Sequence, residues 1–231
     1  MLKISNVQIF NLEGAVLASG NAMRTEPLKD LSLKKYAEEF KRGLERCKKL
    51  TKAGFSDVSC HSNYLTGILV KFDVTYPQYW TPEAQRYHWF NIVTSSSKMH
   101  RLCKMNLEKC TNKYVSPRTI ETEQSYIDAY NELLKHPEWS TYSYWDTTEE
   151  GIATFKTTHN REEALYWAFM VMLSNCPLGF ELFEQVTTNY KQLQTMYYQR
   201  KNHRLKEDWQ DEFCTNFVEK LPYFDELIKK Q

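Results

Sequence analysis

Between Tyr79 and His100 the chain places Arg86, His88, Ser95, Ser96, Ser97 and Lys98 among closely spaced aromatic rings. Arginine and lysine supply charged N–H donors and serine adds hydroxyls, so the set suits an anionic oxygen, above all a phosphate. Thr81 is a helix-capping residue and Pro82 fits a first helical position. The pattern predicts a helix over 82–94 bearing Arg86 and His88, with the serines in the loop beyond it. An ordinary amphipathic helix followed by a polar loop accounts for the same residues without a ligand.

A second constellation spans 189–209. On a helix Asn189, Gln192 and Thr195 or Met196 share a face. Arg200, Lys201, Arg204 and Lys206 then bring positive charge to its end, beside Asn202 and His203. The helix dipole accounts for one or two of these cations. The full cluster suits an anion site, and a solvated charged surface remains the plain alternative.

The elements that must carry these groups follow from periodicity. Residues 3–12 alternate as a strand, Glu13-Gly14 turns it, and 15–19 return as a second strand. Residues 20–30, with Pro27, form a loop. Leu33, Tyr36, Ala37, Phe40, Leu44 and Cys47 recur at helical spacing, with Gly54 as the stop. The run Leu65–Val74 is strand-like. Residues 102–118 are irregular and basic, and 119–136 form a helix ended by Pro137. An aromatic, Thr-rich connection covers 137–159. Asn160 caps the next helix with Glu163 placed for a capping box, and Pro177 and Gly179 break it. Helices over 182–201 and 205–219 follow, then a short one after Pro222. No repeat, linker or low-complexity tract divides residues 1–231, which points to one α+β domain, mixed helices around a small β-sheet.

Composition narrows the function classes. With 231 residues the chain buries a full core without staples. A formal net charge of +1 gives no overall pull toward nucleic acid or membrane. Its 15 Tyr and 6 Trp offer flat faces with polar tips, suited to planar ligands, subunit contacts or simply the core. The six cysteines form no C-x-x-C pair, and His100, Cys103 and Cys110 match no common zinc spacing. No stretch reaches membrane-spanning length and no apolar leader opens the chain, so a cytoplasmic protein with reduced thiols is expected.

Taken together, the two constellations resemble the flavin-dependent thymidylate synthases. That family's signature is Arg-His-Arg, seven residues, then Ser; here Arg86-Tyr87-His88 is followed by seven residues and Ser96, with Lys98 two further on. His61 stands before the apolar run, as a His does upstream of the signature. Asn189, Lys191 and Arg200 match the downstream Asn-x-Arg and the Arg nine residues later, and Trp209 follows. The likeness is collinear over about residues 57–215. It departs where Tyr87 replaces His, His88 replaces Arg, Asn91 replaces an inner Ser, and Lys98 and Lys191 replace Arg. The Arg expected near 173–176 is also missing. Lysine lacks the planar two-pronged contact of arginine.

The resemblance implies one-carbon transfer to dUMP or a related pyrimidine nucleotide. FAD would be the cofactor, NADPH and methylenetetrahydrofolate the co-substrates, and a homotetramer the assembly. It implies flavin contacts from His61, Arg86, His88, Asn189 and Lys191, and nucleotide contacts from Ser96, Lys98 and Arg200. By the same resemblance Arg200 and Ser96 would be the catalytic residues, Arg200 polarising the pyrimidine carbonyl region. A non-catalytic nucleotide-binding protein on the same fold is the alternative. A nucleic-acid binder using 98–113 and 200–206 is a third, which the near-zero charge disfavours.

Overall fold

The computed structural model describes residues 1–29, 31–53 and 60–229. Along them run β1 (Lys3–Phe10), α1 (Leu12–Ala18), α2 (Leu33–Ala53), β2 (Leu69–Pro77), α3 (Thr81–Ala84), β3 (Asn91–Ser95), α4 (Lys98–Arg101) and α5 (Leu107–Cys110). There follow α6 (Pro117–Lys135), β4 (Ser143–Thr147), β5 (Ala153–Thr157), α7 (Arg161–Asn175), β6 (Glu181–Asn189) and α8 (Tyr190–Arg200). A π-helical segment, Lys206–Phe217, and α9 (Phe224–Leu227) complete the chain. Helices and strands mix as the α+β expectation requires. Gly54 and residues 57–59 lie outside the described residues. Internal packing gathers the chain into two compact units, residues 1–76, 80–95 and 183–231 in the first, 77–79 and 96–182 in the second.

The first unit is built on a sheet of order β1-β2-β6-β3, with β1–β2 and β3–β6 antiparallel. Alternation in β2 sends Val70, Phe72, Val74 and Tyr76 inward, where they are buried. Trp80, Phe90, Trp209, Phe213 and Phe217 fill the same core through a chain of edge-on and tilted ring contacts. Helices α1 and α2 approach closely at Gly43, where a Cβ would lie 2.8 Å from Val16 Cγ1 and 3.2 Å from its carbonyl oxygen. Glycine at that point allows the crossing.

The second unit packs α6 against α7. Leu102, Leu107, Ile127, Met172, Cys176 and Phe180 form its main core, and Leu133, Ala164 and Ala168 a smaller one. Asn160 caps α7 as expected, its side-chain oxygen accepting from the N–H groups of Glu162 and Glu163. Strands β4 and β5 pair as a hairpin within what the sequence presents as an aromatic, Thr-rich connection. Gly151, at φ +80°, supplies the turn conformation that a side chain would strain.

Other expected elements differ. The run Leu65–Val74 becomes a strand only from Leu69, its first residues lying in a 3-10 helix, Cys60–Gly67. Residues 15–18 are helical and Ser19 caps the helix, with Ala15, Val16 and Leu17 buried in succession and not alternately. The helix expected over 82–94 stops at Ala84. Turns then run from Ala84 to Phe90, and the β-branched residues Ile92, Val93 and Thr94 enter β3 beside β6. The helix expected over 182–201 begins only at Tyr190. Residues 181–189 are a strand with Glu184, Val186 and Thr188 buried on one face. The helical spacing of Phe183, Val186 and Tyr190 imitates a helix, and pairing with neighbouring strands overrides it.

Candidate functional site

Arg200, at the end of α8, is the hub of the first unit's polar chemistry. Its Nε donates to the Tyr87 hydroxyl at 2.7 Å and its Nη1 to Glu83 Oε2 at 3.1 Å. Nη2 reaches the Glu83 carbonyl at 3.5 Å. The guanidinium lies over the Trp209 ring, 4.7 Å from its centroid, and 5.4 Å from that of Tyr87. Two of its five N–H groups make no hydrogen bond among the described residues.

Glu83 Oε2 is shared. The Trp209 indole N–H donates to it at 2.7 Å, and His203 Nε2 lies 3.4 Å away. His203 Nδ1 accepts the Leu205 N–H, so in the neutral ring the proton sits on Nε2 and faces Glu83. Burial, with Arg200 and Arg204 adding to it, lowers the His203 pKa against the opposing pull of Glu83. Burial raises the Tyr87 pKa, which Arg200 opposes. The Tyr87 hydroxyl donates its own O–H to Gln199 Oε1 at 2.9 Å.

The two constellations therefore meet. The segment from Glu83 to Trp89 is tied to α8 by Glu83–Arg200, by Tyr87 to Arg200 and Gln199, and by the Trp89 N–H donating to Gln192 Oε1 at 3.3 Å. Asn189 is the N-cap of α8, accepting the Gln192 N–H at 2.8 Å, and is buried. Lys191 donates to Ser62 and lies 3.5 Å from Gln194 Oε1. Arg86 and His88 are exposed, the His88 ring 5.3 Å from that of Trp89. His61 is exposed and lines a cavity of about 530 Å³ with Asn11, Gly14, Ala18, Asn63 and Tyr64.

Ser96 and Lys98 belong to the second unit. Ser96 is half-buried, and Lys98 Nζ donates to the Leu173 carbonyl at 3.4 Å. Nearby, Glu123 on α6 is buried and neither carboxylate oxygen has a hydrogen-bond partner among the described residues. Burial pushes its carboxyl up to about 7, with Lys98 opposing.

Sequence reasoning missed Glu83 and Glu123. An acidic residue in a helix's first turn is ordinary, so Glu83 gave no signal. Glu123 sits where one face of α6 turns inward, a position that only the tertiary packing defines.

No family model matches the chain, and no curated protein does. Among solved structures the fold is that of flavin-dependent thymidylate synthase. A crystal structure of ThyX from Helicobacter pylori complexed with FAD and dUMP aligns with a TM-score of 0.58 at 13% identity, covering 97% of this chain and 98% of that one. A second structure of the same enzyme with FAD and dUMP aligns at 0.57 and 14% identity, covering 99% and 98%.

Proposed function

We propose that the chain is a divergent flavin-dependent thymidylate synthase-like enzyme, one domain over residues 1–231, that transfers a one-carbon unit to dUMP or a related pyrimidine nucleotide. The observation that carries this reading is the end-to-end likeness of fold to an enzyme crystallised with FAD and dUMP. The chemistry of the residues named for the cofactor, cations and N–H donors, suits the flavin's diphosphate. Arg86 and Lys191 are cations, and Arg86, His88 and His61 make no hydrogen bond among the described residues, so their donors face no internal competitor. These residues, with Asn189 in support, would hold FAD, which when reduced supplies the hydride. NADPH and methylenetetrahydrofolate are the co-substrates in this reading, and the assembly is a homotetramer.

The chain's own contribution is binding and charge placement. Arg200 uses its two remaining N–H groups for the pyrimidine nucleotide, held in orientation by Tyr87 and Trp209. Ser96 and Lys98 add a hydroxyl and an ammonium for the nucleotide's anionic oxygens.

A second reading is nucleotide binding without turnover. It is favoured by Tyr87, which stands where the signature has His and is buried in contact with Arg200.

An absorption spectrum of the purified protein, with mass spectrometry of what denaturation releases, separates the two. Flavin bands and released FAD are expected. A colourless protein that also takes up no added FAD overturns the enzyme reading.

A further inference from the structure

Arg200 is only 13% exposed, and the anion that faces it is already part of the chain. Glu83 Oε2 accepts two hydrogen bonds, from Arg200 and Trp209, and His203 Nε2 lies 3.4 Å from the same oxygen. A pair serving only to stabilise the fold would be expected to use the guanidinium's fork more fully. Here two N–H groups stay unused beside a carboxylate that neutralises the charge an anionic or carbonyl ligand would seek.

We infer that Glu83 is an internal competitor for the Arg200 guanidinium, an autoinhibitory latch that sets how tightly this face takes a nucleotide. The inference deepens the nucleotide reading and rests on it for the identity of the ligand, though not for the latch itself. Binding brings the ligand's oxygen onto the two unused N–H groups of Arg200, against the charge of the adjacent Glu83 carboxylate, and so loosens the Arg200–Glu83 bond. Trp209 and His203 remain on Glu83 and hold the carboxylate when Arg200 loosens.

Glu83→Gln keeps the shape and an acceptor for the Trp209 N–H while removing the charge. Two readouts are taken on the full chain: dUMP affinity by calorimetry, and the rate at which phenylglyoxal modifies Arg200, followed by peptide mass mapping. Glu83→Gln should bind dUMP about tenfold tighter, as expected for loss of one charge-assisted competitor. Arg200 should be modified several-fold faster. The affinity gain should vanish when Arg200→Gln is added, since the two residues act through one bond.

Unchanged affinity and unchanged modification rate in a folded Glu83→Gln protein overturn the latch. Faster modification of Arg200 with no dUMP binding by either protein upholds the latch and sinks the nucleotide reading. Should circular dichroism show that Glu83→Gln is unfolded, Glu83→Asp, which withdraws the carboxylate by one methylene, is read by the same criteria.

Discussion

Arg200 in the first unit and Glu123 in the second are both charged-type side chains taken largely out of water, and their surroundings answer them differently. Around Arg200 a carboxylate, a phenol and an indole face supply counter-charge, hydrogen bonds and polarisable surface. Around Glu123 neither carboxylate oxygen is met, and Lys98 acts only as a distant positive charge. A buried charge that is paired keeps its ionisation, and one that is unpaired gives it up. The first region is built to hold a fixed positive charge in place, whereas the second holds a carboxyl that is protonated across most of the acidic range.

The largest expected effect falls on the paired region. Trp209 is fully buried, packs at a tilt against Trp80 with centroids 4.9 Å apart, lies under the guanidinium and donates to Glu83. Trp209→Ala should cost about 3–5 kcal/mol of unfolding free energy in denaturant titration. A loss under about 1 kcal/mol would mean that the ring is not the platform on which the cluster rests.

Glu123 comes next. Its carboxyl, at about 7 in the fold against 4.5 ordinarily, holds a proton that the unfolded chain has lost in between. The folded state binds more protons there, so stability falls as pH rises through that window and the penalty is complete above it. Glu123→Gln removes the titration. Its stability relative to the parent should therefore rise by about 3 kcal/mol between about pH 4.5 and about pH 8. Parallel curves would show that Glu123 finds a partner and that the contrast with Arg200 is false.

Much of this organisation is legible in the sequence. The long helices α2, α6 and α7 announce themselves through periodicity, and Asn160 and Pro137 mark their ends. The resemblance blocks also appear in their order along the chain. Strands β3 and β6 escaped because each gains its identity from a neighbour, β3 over only five residues, and Phe183, Val186 and Tyr190 carry a helical spacing inside or beside a strand. The site was half legible. Arg200 and Trp209 stood out, but the carboxylate that joins them is 117 residues from Arg200 in sequence, and nothing local marks it. Asn189 was read as a face residue of a helix that it in fact caps.

The most direct test of the central claim is a calorimetric titration of dUMP into the FAD-supplemented protein and its Arg200→Ala variant. Saturable binding by the parent, weakened about tenfold or more in the variant, is the predicted result, the size expected for one charge-assisted contact. Equal affinity in the two proteins, or no binding to the parent, would contradict the assignment of Arg200 to a pyrimidine nucleotide.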